Sequence, residues 1–358
     1  MNINEGLGLG NSLTDENMIF LKQLGVNHLT VGVQALGRDE PKGKDFVSRI
    51  RGGAYYQADD LIALREWIEG HGLKLSGIAL GLFPRWDKII IGQAGRDEQI
   101  ENWNKSIRSM GKAGIPQVQY NCMISAGASM PLWRTSAENV GRGGARIVRF
   151  DYAVARKVPL TKYGEISEEK MWDNITYFLK ATIPVAEEAG VTMVMHPDDP
   201  QVPSLAGIAR IIRSIESYDR VFKIMPSKAN SMDFCLGCFS QMMDNERVYE
   251  AIRHFGKEGR IGRVDFRGVR GTKEKFDEVF PDDGQLDMLQ AVKVLKEVGF
   301  NGIIQMDHVP HLTDETDYNN DTASGAIIGG KSSRAFAFGY LKGILQGAGV
   351  VEGDSPAS

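Results

Sequence analysis

Four times along this chain an amphipathic segment runs into a glycine and then directly into an apolar stretch: Leu24-Gly25-Val26, Ala113-Gly114-Ile115, Ala189-Gly190-Val191 and Val298-Gly299-Phe300. Glycine suits the left-handed conformation that closes a helix. Repeated in this way, the junction marks helices alternating with strands rather than separate blocks of each. Short apolar runs at 5–9, 28–33, 74–79, 117–121, 192–196, 221–225, 262–266 and 302–306 read as strands. Helical patterns occupy 15–24, 59–70, 96–114, 168–190, 205–217, 245–255 and 286–298. Eight strands joined by helices fit a (β/α)8 TIM barrel, and 358 residues are enough for one with insertions. A doubly wound open sheet fits less well. It wants a G-x-G-x-x-G loop opening the first helix, and Leu7-Gly8-Leu9-Gly10 offers only a short glycine pair. The barrel is expected to fill residues 1–348 as a single domain, with long loops after the second, fourth and eighth strands (34–57, 123–143 and 308–331). Residues 349–358 read as a small, polar, flexible tail.

Composition narrows the partners. A net charge of -4 argues against nucleic acid. No apolar run approaches the roughly 18 residues of a membrane span. The start, Met1-Asn2-Ile3-Asn4-Glu5, carries no basic region followed by an apolar one, so the expected location is cytoplasmic. Three cysteines, an odd number, do not suggest a disulfide framework.

The run Val191-Thr192-Met193-Val194-Met195 ends in His196-Pro197-Asp198-Asp199-Pro200. Prolines stop the strand, so a histidine stands at its carboxyl end, where parallel α/β proteins bind ligands. Side chains alternate along a strand, and the parity is informative elsewhere. Arg263, Asp265 and Arg267 share one parity, opposite Val264 and Phe266; Gln305 and Asp307 share another, as do Gln117, Gln119 and Asn121. The polar sets should face the barrel axis, where charge is costly unless paired or bound to metal. His196, Cys235, Asp265 and Asp307 are therefore candidate ligands of one metal. Such a mixed nitrogen, sulfur and oxygen set suits Mn²⁺, Fe²⁺, Co²⁺ or Zn²⁺. On this reading Cys235 lies ten residues past the sixth strand. Cys235-x-x-Cys238 lacks both the second pair of a structural zinc site and a thioredoxin context, so a redox role is disfavoured. Asp198-Asp199 also admits a plain reading as a solvated turn or helix cap, and Asp265 and Arg267 as a structural ion pair.

From about Gly72 to Asp307 the chain resembles the mannonate dehydratase family, whose barrel is xylose isomerase-like. The resemblance rests first on Met193-Val194-Met195-His196-Pro197-Asp198-Asp199-Pro200, followed by Leu205-Ala206-Gly207-Ile208 and Arg210. Tyr120-Asn121-Cys122-Met123, Trp133-Arg134-Thr135, Phe234-Cys235, Phe266-Arg267-Gly268-Val269-Arg270 and Asp307-His308 support it. It implies a divalent cation, commonly Mn²⁺, and dehydration of a sugar acid to a 2-keto-3-deoxy acid, with ligands at His196, Cys235, position 265 and Asp307. Position 265 is Asp where the family has His, which adds negative charge and lowers Lewis acidity. Ala79-Leu80-Gly81-Leu82 stands where the family has a Glu, and Leu132, Met306 and Val309 are further departures. All lie in or near the site, so they bear on substrate and reaction rather than on fold.

On this reading Arg267 orients the substrate carboxylate through a bidentate contact and His308 exchanges protons near neutral pH. Asp199 is a further candidate catalytic residue, and Asn121, Arg134 and Asp198 are candidates for recognising the substrate. The alternatives are a metal-dependent sugar isomerase or epimerase on the same barrel and, less favoured, a non-catalytic carbohydrate-binding barrel. The expected partners are a small sugar acid or sugar and further copies of the chain, as a dimer or tetramer by family analogy.

Overall fold

The computed structural model describes residues 1–8, 13–32, 45–81, 85–124, 134–313, 315 and 329–350. Much of the three expected long loops, at 33–44, 125–133 and 316–328, lies outside the described residues, as does the tail at 351–358. In chain order the strands are β1 (Asn2–Gly8), β2 (His28–Gly32), β3 (Lys74–Gly81), β4 (Gln117–Asn121), β5 (Ser136–Val140), β6 (Arg146–Asp151), β7 (Thr192–Met195), β8 (Ser204–Leu205), β9 (Ile208–Ala209), β10 (Asn230–Cys235), β11 (Ile261–Phe266), β12 (Gly268–Thr272), β13 (Lys275–Val279) and β14 (Ile303–Met306). Eight of them close a barrel in the order β1-β14-β11-β10-β7-β4-β3-β2, and the pairings are parallel. The fold is the (β/α)8 TIM barrel. No described helix is long and apolar enough to cross a membrane.

The glycine junctions work as their spacing suggests. Gly25, Gly114, Gly190 and Gly299 all take positive φ, between 68° and 77°, ending a helix and turning the chain into the next strand. The longest of these helices, Glu168–Ala189, opens on Ser167, whose side chain accepts from the Lys170 amide, and it buries Ile175, Phe178 and Leu179 against the barrel wall. The wall presents Val118, Met193, Phe234, Val264 and Ile304 outward into that core. The opposite parity turns polar groups inward. Asn4 Nδ2 donates to Gln305 Oε1 at 2.8 Å and to Thr30 Oγ1 at 3.1 Å, and Gln117 Nε2 donates to the Gly262 carbonyl at 2.8 Å.

Two expected elements are corrected. Residues 221–225 are not a strand, because Val221 and Phe222 belong to the helix Ile215–Ile224. That helix is fixed by a capping box between Ser214 and Ser217. The sixth barrel strand is β10, and Cys235 is its last residue instead of lying ten residues beyond it. The expected helix at 205–217 is largely the tight β8–β9 hairpin. Ala206 and Gly207 there take positive φ of 47° and 87°, which no right-handed helix admits.

A feature with no counterpart in the sequence reading is a four-stranded antiparallel sheet, β12-β13-β6-β5. It joins an excursion after β4 to a hairpin that follows β11 directly. A small apolar cluster holds it, including Phe150, Val202, Leu205, Val269 and Phe276. This sheet carries side chains to the carboxyl ends of the barrel strands, where the candidate site lies.

Candidate active site

His196, just past β7, donates from Nδ1 to the Pro197 carbonyl at 2.7 Å, because a carbonyl can only accept. That bond sets the ring so that Nε2 faces the axis, 3.7 Å from Asp265 Oδ2. Cys235 ends β10, Asp265 lies in β11 opposite it in register, and Asp307 follows β14. Donor atoms of Cys235, Asp265 and Asp307 all lie within 4.8 Å of one another, as do those of His196, Asp233 and Asp265, and those of His196, Cys235 and Cys238. Three carboxylates and a thiol thus crowd around Arg263, while a second arginine, Arg267, comes within 3.6 Å of Asp307 through its Nε. Arg263 Nε lies 3.3 Å from Asp233 Oδ2 and its Nη2 3.1 Å from Asp265 Oδ1. Gln119 Nε2 also donates to Asp233 Oδ2.

The electrostatics follow from this surplus of negative charge. Burial opposes a charged imidazole, yet Cys235, Asp233 and Asp265 outweigh it and raise the His196 pKa to about 10. Burial raises Asp265 to about 7, with repulsion from Asp233 adding to it. Burial also resists the Cys235 thiolate, but its hydrogen bond with Cys238 and the Arg267 charge bring it down to about 6. Asp233 Oδ1 is buried with no hydrogen-bond partner among the described residues. A field that favours a proton this strongly on an imidazole also favours a cation, and the donor chemistry fits a borderline divalent ion.

Beside this cluster lies a second one in which the charges cancel. Arg134 and Arg267 face Asp199 and Glu278, all four buried. Arg134 grips Asp199 with both terminal nitrogens, at 2.8 and 3.3 Å, and reaches Glu278 Oε1. Arg267 Nη1 donates to Asp199 Oδ2 at 2.7 Å and to Glu278 Oε1 at 2.9 Å, while its Nη2 donates to Cys238 Sγ at 3.1 Å. Glu278, from β13, also accepts from His308 Nδ1 at 2.6 Å. The remaining nitrogen, His308 Nε2, is 3.5 Å from Asp307 Oδ1. Burial lowers the proton affinity of His308, but Asp307 and Glu278 more than compensate, so its pKa is raised.

A family model described as D-mannonate dehydratase (UxuA) matches residues 45–159 and 154–351. The mannonate dehydratase of Oceanobacillus iheyensis is 30% identical over 342 residues, covering 86% of this chain and 91% of its own. The chain belongs to the mannonate dehydratase family. The relative from Thermotoga maritima is 30% identical over 290 residues, covering 72% of this chain and 78% of its own. The crystal structure of mannonate dehydratase from Streptococcus suis serotype 2 superimposes with a TM-score of 0.80 at 25% identity, covering 100% of this chain and 97% of that one. D-psicose 3-epimerase from Clostridium cellulolyticum H10 shares the fold, with a TM-score of 0.59 at 13% identity, covering 96% of this chain and 99% of its own.

Within this mannonate dehydratase framework the expected site residues separate into two groups. His196, Cys235, Asp265, Asp307 and His308 converge. Asn121 ends β4 half-buried, with Oδ1 accepting from the Met123 amide at 3.2 Å. The others are committed elsewhere, which revises their expected roles. Arg267 spends its guanidinium on Asp199, Glu278 and Cys238, so it has no fork to offer a substrate carboxylate. Burial would raise the Asp199 pKa, but Arg134 and Arg267 drive it far below the usual carboxylate range, which suits an ion-pair partner and not a base. Asp198 accepts from the Ile211 and Ile212 amides at 2.7 Å each and lies 3.6 Å from Arg210, so it anchors the loop after β9. Neither aspartate is a solvated turn residue; both are buried. Trp133 and Leu132 of the family motif lie outside the described residues. Sequence reasoning missed Glu278 and Asp233. Asp233 shares the parity of Cys235 and would have been found had β10 been placed correctly.

Proposed function

We propose that this chain dehydrates D-mannonate or a closely related aldonate to the 2-keto-3-deoxy acid, with Mn²⁺ as the preferred cation. The observation that carries the reading is the convergence of donors from four consecutive barrel strands beside the Glu278–His308 pair. His196, Cys235, Asp265 and Asp307 would hold the cation, with Fe²⁺, Co²⁺ and Zn²⁺ as the other ions the donors suit. A bound divalent ion supplies Lewis-acid stabilisation of the negative charge that develops on the substrate as its C2 proton leaves. The elimination breaks C2–H and C3–O, releases water and leaves an enol that tautomerises to the ketone. Glu278 holds His308 by Nδ1, so Nε2 is the nitrogen that exchanges a proton. His308 has a raised proton affinity, which suits its Nε2 to take the C2 proton and to pass it to the departing C3 hydroxyl, which leaves as water. Arg267 and Arg134 act one step back, by holding Glu278 in place. Asn121, at the end of β4, is the remaining polar group for a substrate hydroxyl.

The test is turnover of a panel of aldonates by metal-stripped protein reloaded with each cation, read as formation of a 2-keto-3-deoxy acid. Mn²⁺-dependent product from D-mannonate is the expected result. Metal-dependent interconversion of ketose and aldose without loss of water would replace dehydration with isomerisation, and protein that takes up none of the cations and turns over none of the substrates would leave a binding barrel. A homo-oligomer, dimer or tetramer, is part of the same proposal and is checked by light scattering.

A further inference from the structure

Cys238 is a buried thiol that the proposed reaction does not use. It stands three residues after Cys235, in the first turn of the helix Leu236–Met242, and its amide donates to Cys235 Sγ at 3.4 Å. This turn brings both sulfurs to the same side of the chain. Donor atoms of His196, Cys235 and Cys238 lie mutually within 4.8 Å, as do those of the two groupings that include Asp265. We propose that Cys238 gives the centre a second, softer donor set, His196–Cys235–Cys238, which binds a thiophilic divalent cation such as Zn²⁺ in preference to Mn²⁺. The proposal rests on His196 and Cys235 belonging to the metal centre of the proposed function, and adds a ligand to it.

Three physical points favour it. Imidazole and thiolate suit zinc, whereas carboxylates suit manganese and magnesium. Two cysteines and one histidine also form a recognised three-ligand zinc set that keeps one position open. The charge balances, because two thiolates neutralise a dication where a neutral thiol pair would not. The surroundings are built to support a coordinating sulfur. Arg267 Nη2 donates to Cys238 Sγ at 3.1 Å, and an outer hydrogen bond of this kind orients and stabilises a metal-bound thiolate. That approach depends on the intervening glycine, since a Cβ at Gly237 would lie 2.4 Å from Arg267 Nε. His196 Nδ1 is already held by the Pro197 carbonyl, which directs Nε2 to the same point. The centre therefore has a soft side, Cys235 and Cys238, and a hard side, Asp265 and Asp307.

X-ray absorption at the zinc edge tests this on the unmodified full-length protein, loaded with zinc after chelation. Two sulfurs per zinc at about 2.3 Å are expected. One sulfur, lost on Cys235→Ser, would overturn the role of Cys238 and leave the Cys235 centre standing. Zinc bound with no sulfur would overturn both. The Cys238→Ser variant retains an acceptor for Arg267 and gives an independent reading. Loaded with Co²⁺, it should lose about half the thiolate-to-metal charge-transfer absorbance. Its zinc-over-manganese selectivity in competitive dialysis should fall at least about tenfold. An unchanged spectrum and unchanged selectivity in this variant would refute the proposal.

Discussion

Two buried charge clusters lie side by side at the mouth of this barrel, and they differ in one respect. Around Asp199 and Glu278, two arginines meet two carboxylates and the charges cancel. Around Asp265, three carboxylates and a thiol face Arg263 and the edge of the shared Arg267, which lies 3.6 Å from Asp307, and the charges do not cancel. Burial treats both alike, so their difference must be settled by something outside the fold. A balanced network is complete when the chain has folded and serves as scaffold. An unbalanced one is finished only by a cation. The comparison assigns roles that residue type alone does not: Asp199 and Asp265 are both buried aspartates near the axis, yet the first sits far below the usual carboxylate pKa and the second is raised to about 7.

The largest effects are expected from the unbalanced cluster. Asp307→Ala should weaken Mn²⁺ binding by more than about 100-fold, beyond the loss typical of outer-shell partners, and abolish turnover. Calorimetric titration of the stripped protein with Mn²⁺ checks it, and wild-type affinity in the variant would remove Asp307 from the ligand set. His308→Gln should separate the two functions of the mouth. It is expected to keep the cation while losing about 10²–10⁴-fold in kcat, the range for one proton-transfer group. A variant that lost metal and turnover in parallel would make His308 part of the cation site.

How much of this was legible in the sequence follows from the same contrast. His196, Asp265 and Asp307 stand at the ends of apolar runs, so strand position points to all three and parity to the two aspartates. Glu278 does not. Its strand, Lys275–Val279, lies in an inserted hairpin and breaks the alternation of charged and apolar residues, with Asp277 and Glu278 adjacent, and its partner Arg134 is 144 residues away. Only the folded sheet brings the two together. The sixth strand was hidden for a related reason. All six residues of β10 are buried, yet Asn230, Ser231 and Asp233 are polar. Asn230 Nδ2 donates to the Val221 and Met225 carbonyls, and Asp233 Oδ2 accepts from Gln119 and lies 3.3 Å from Arg263 Nε. Nearby Val221 and Phe222 form a more apolar run and draw the assignment to themselves, although they face the core from a helix.

The balanced cluster should respond in stability rather than in cation binding. Arg134→Met leaves Asp199 and Glu278 sharing one arginine, and breaking a buried pair in this way costs about 3–5 kcal/mol. The urea midpoint should fall accordingly; a shift under about 1 kcal/mol would mean that water or rearrangement replaces Arg134. The acid limb carries the same information. Both carboxylates are held far below their ordinary values by the arginines, despite burial. The stability they add is therefore present above about pH 4, the unfolded value, and is lost progressively as pH falls below it. Arg134→Met should make that acid limb shallower, since less of the shift then remains to be lost.

The smallest effect is expected at the opposite end of the barrel, where the described residues form no such charge cluster. His28 opens β2, with Nδ1 2.8 Å from Asn27 Oδ1. Burial, assisted by Lys74 and the amino terminus, lowers its pKa to about 4. The folded protein thus keeps this imidazole neutral where the unfolded chain would protonate it. Between about pH 6.5 and 4 the unfolded state binds more protons, so stability falls as pH falls through that window. Because His28 is only partly buried, solvent screens the effect and the slope should stay below one proton. His28→Gln should flatten the urea midpoint across this window while leaving the limb below pH 4 unchanged. If the variant moved the lower limb instead, the two ends of the barrel would be coupled, and the acid response could no longer be assigned to the mouth alone.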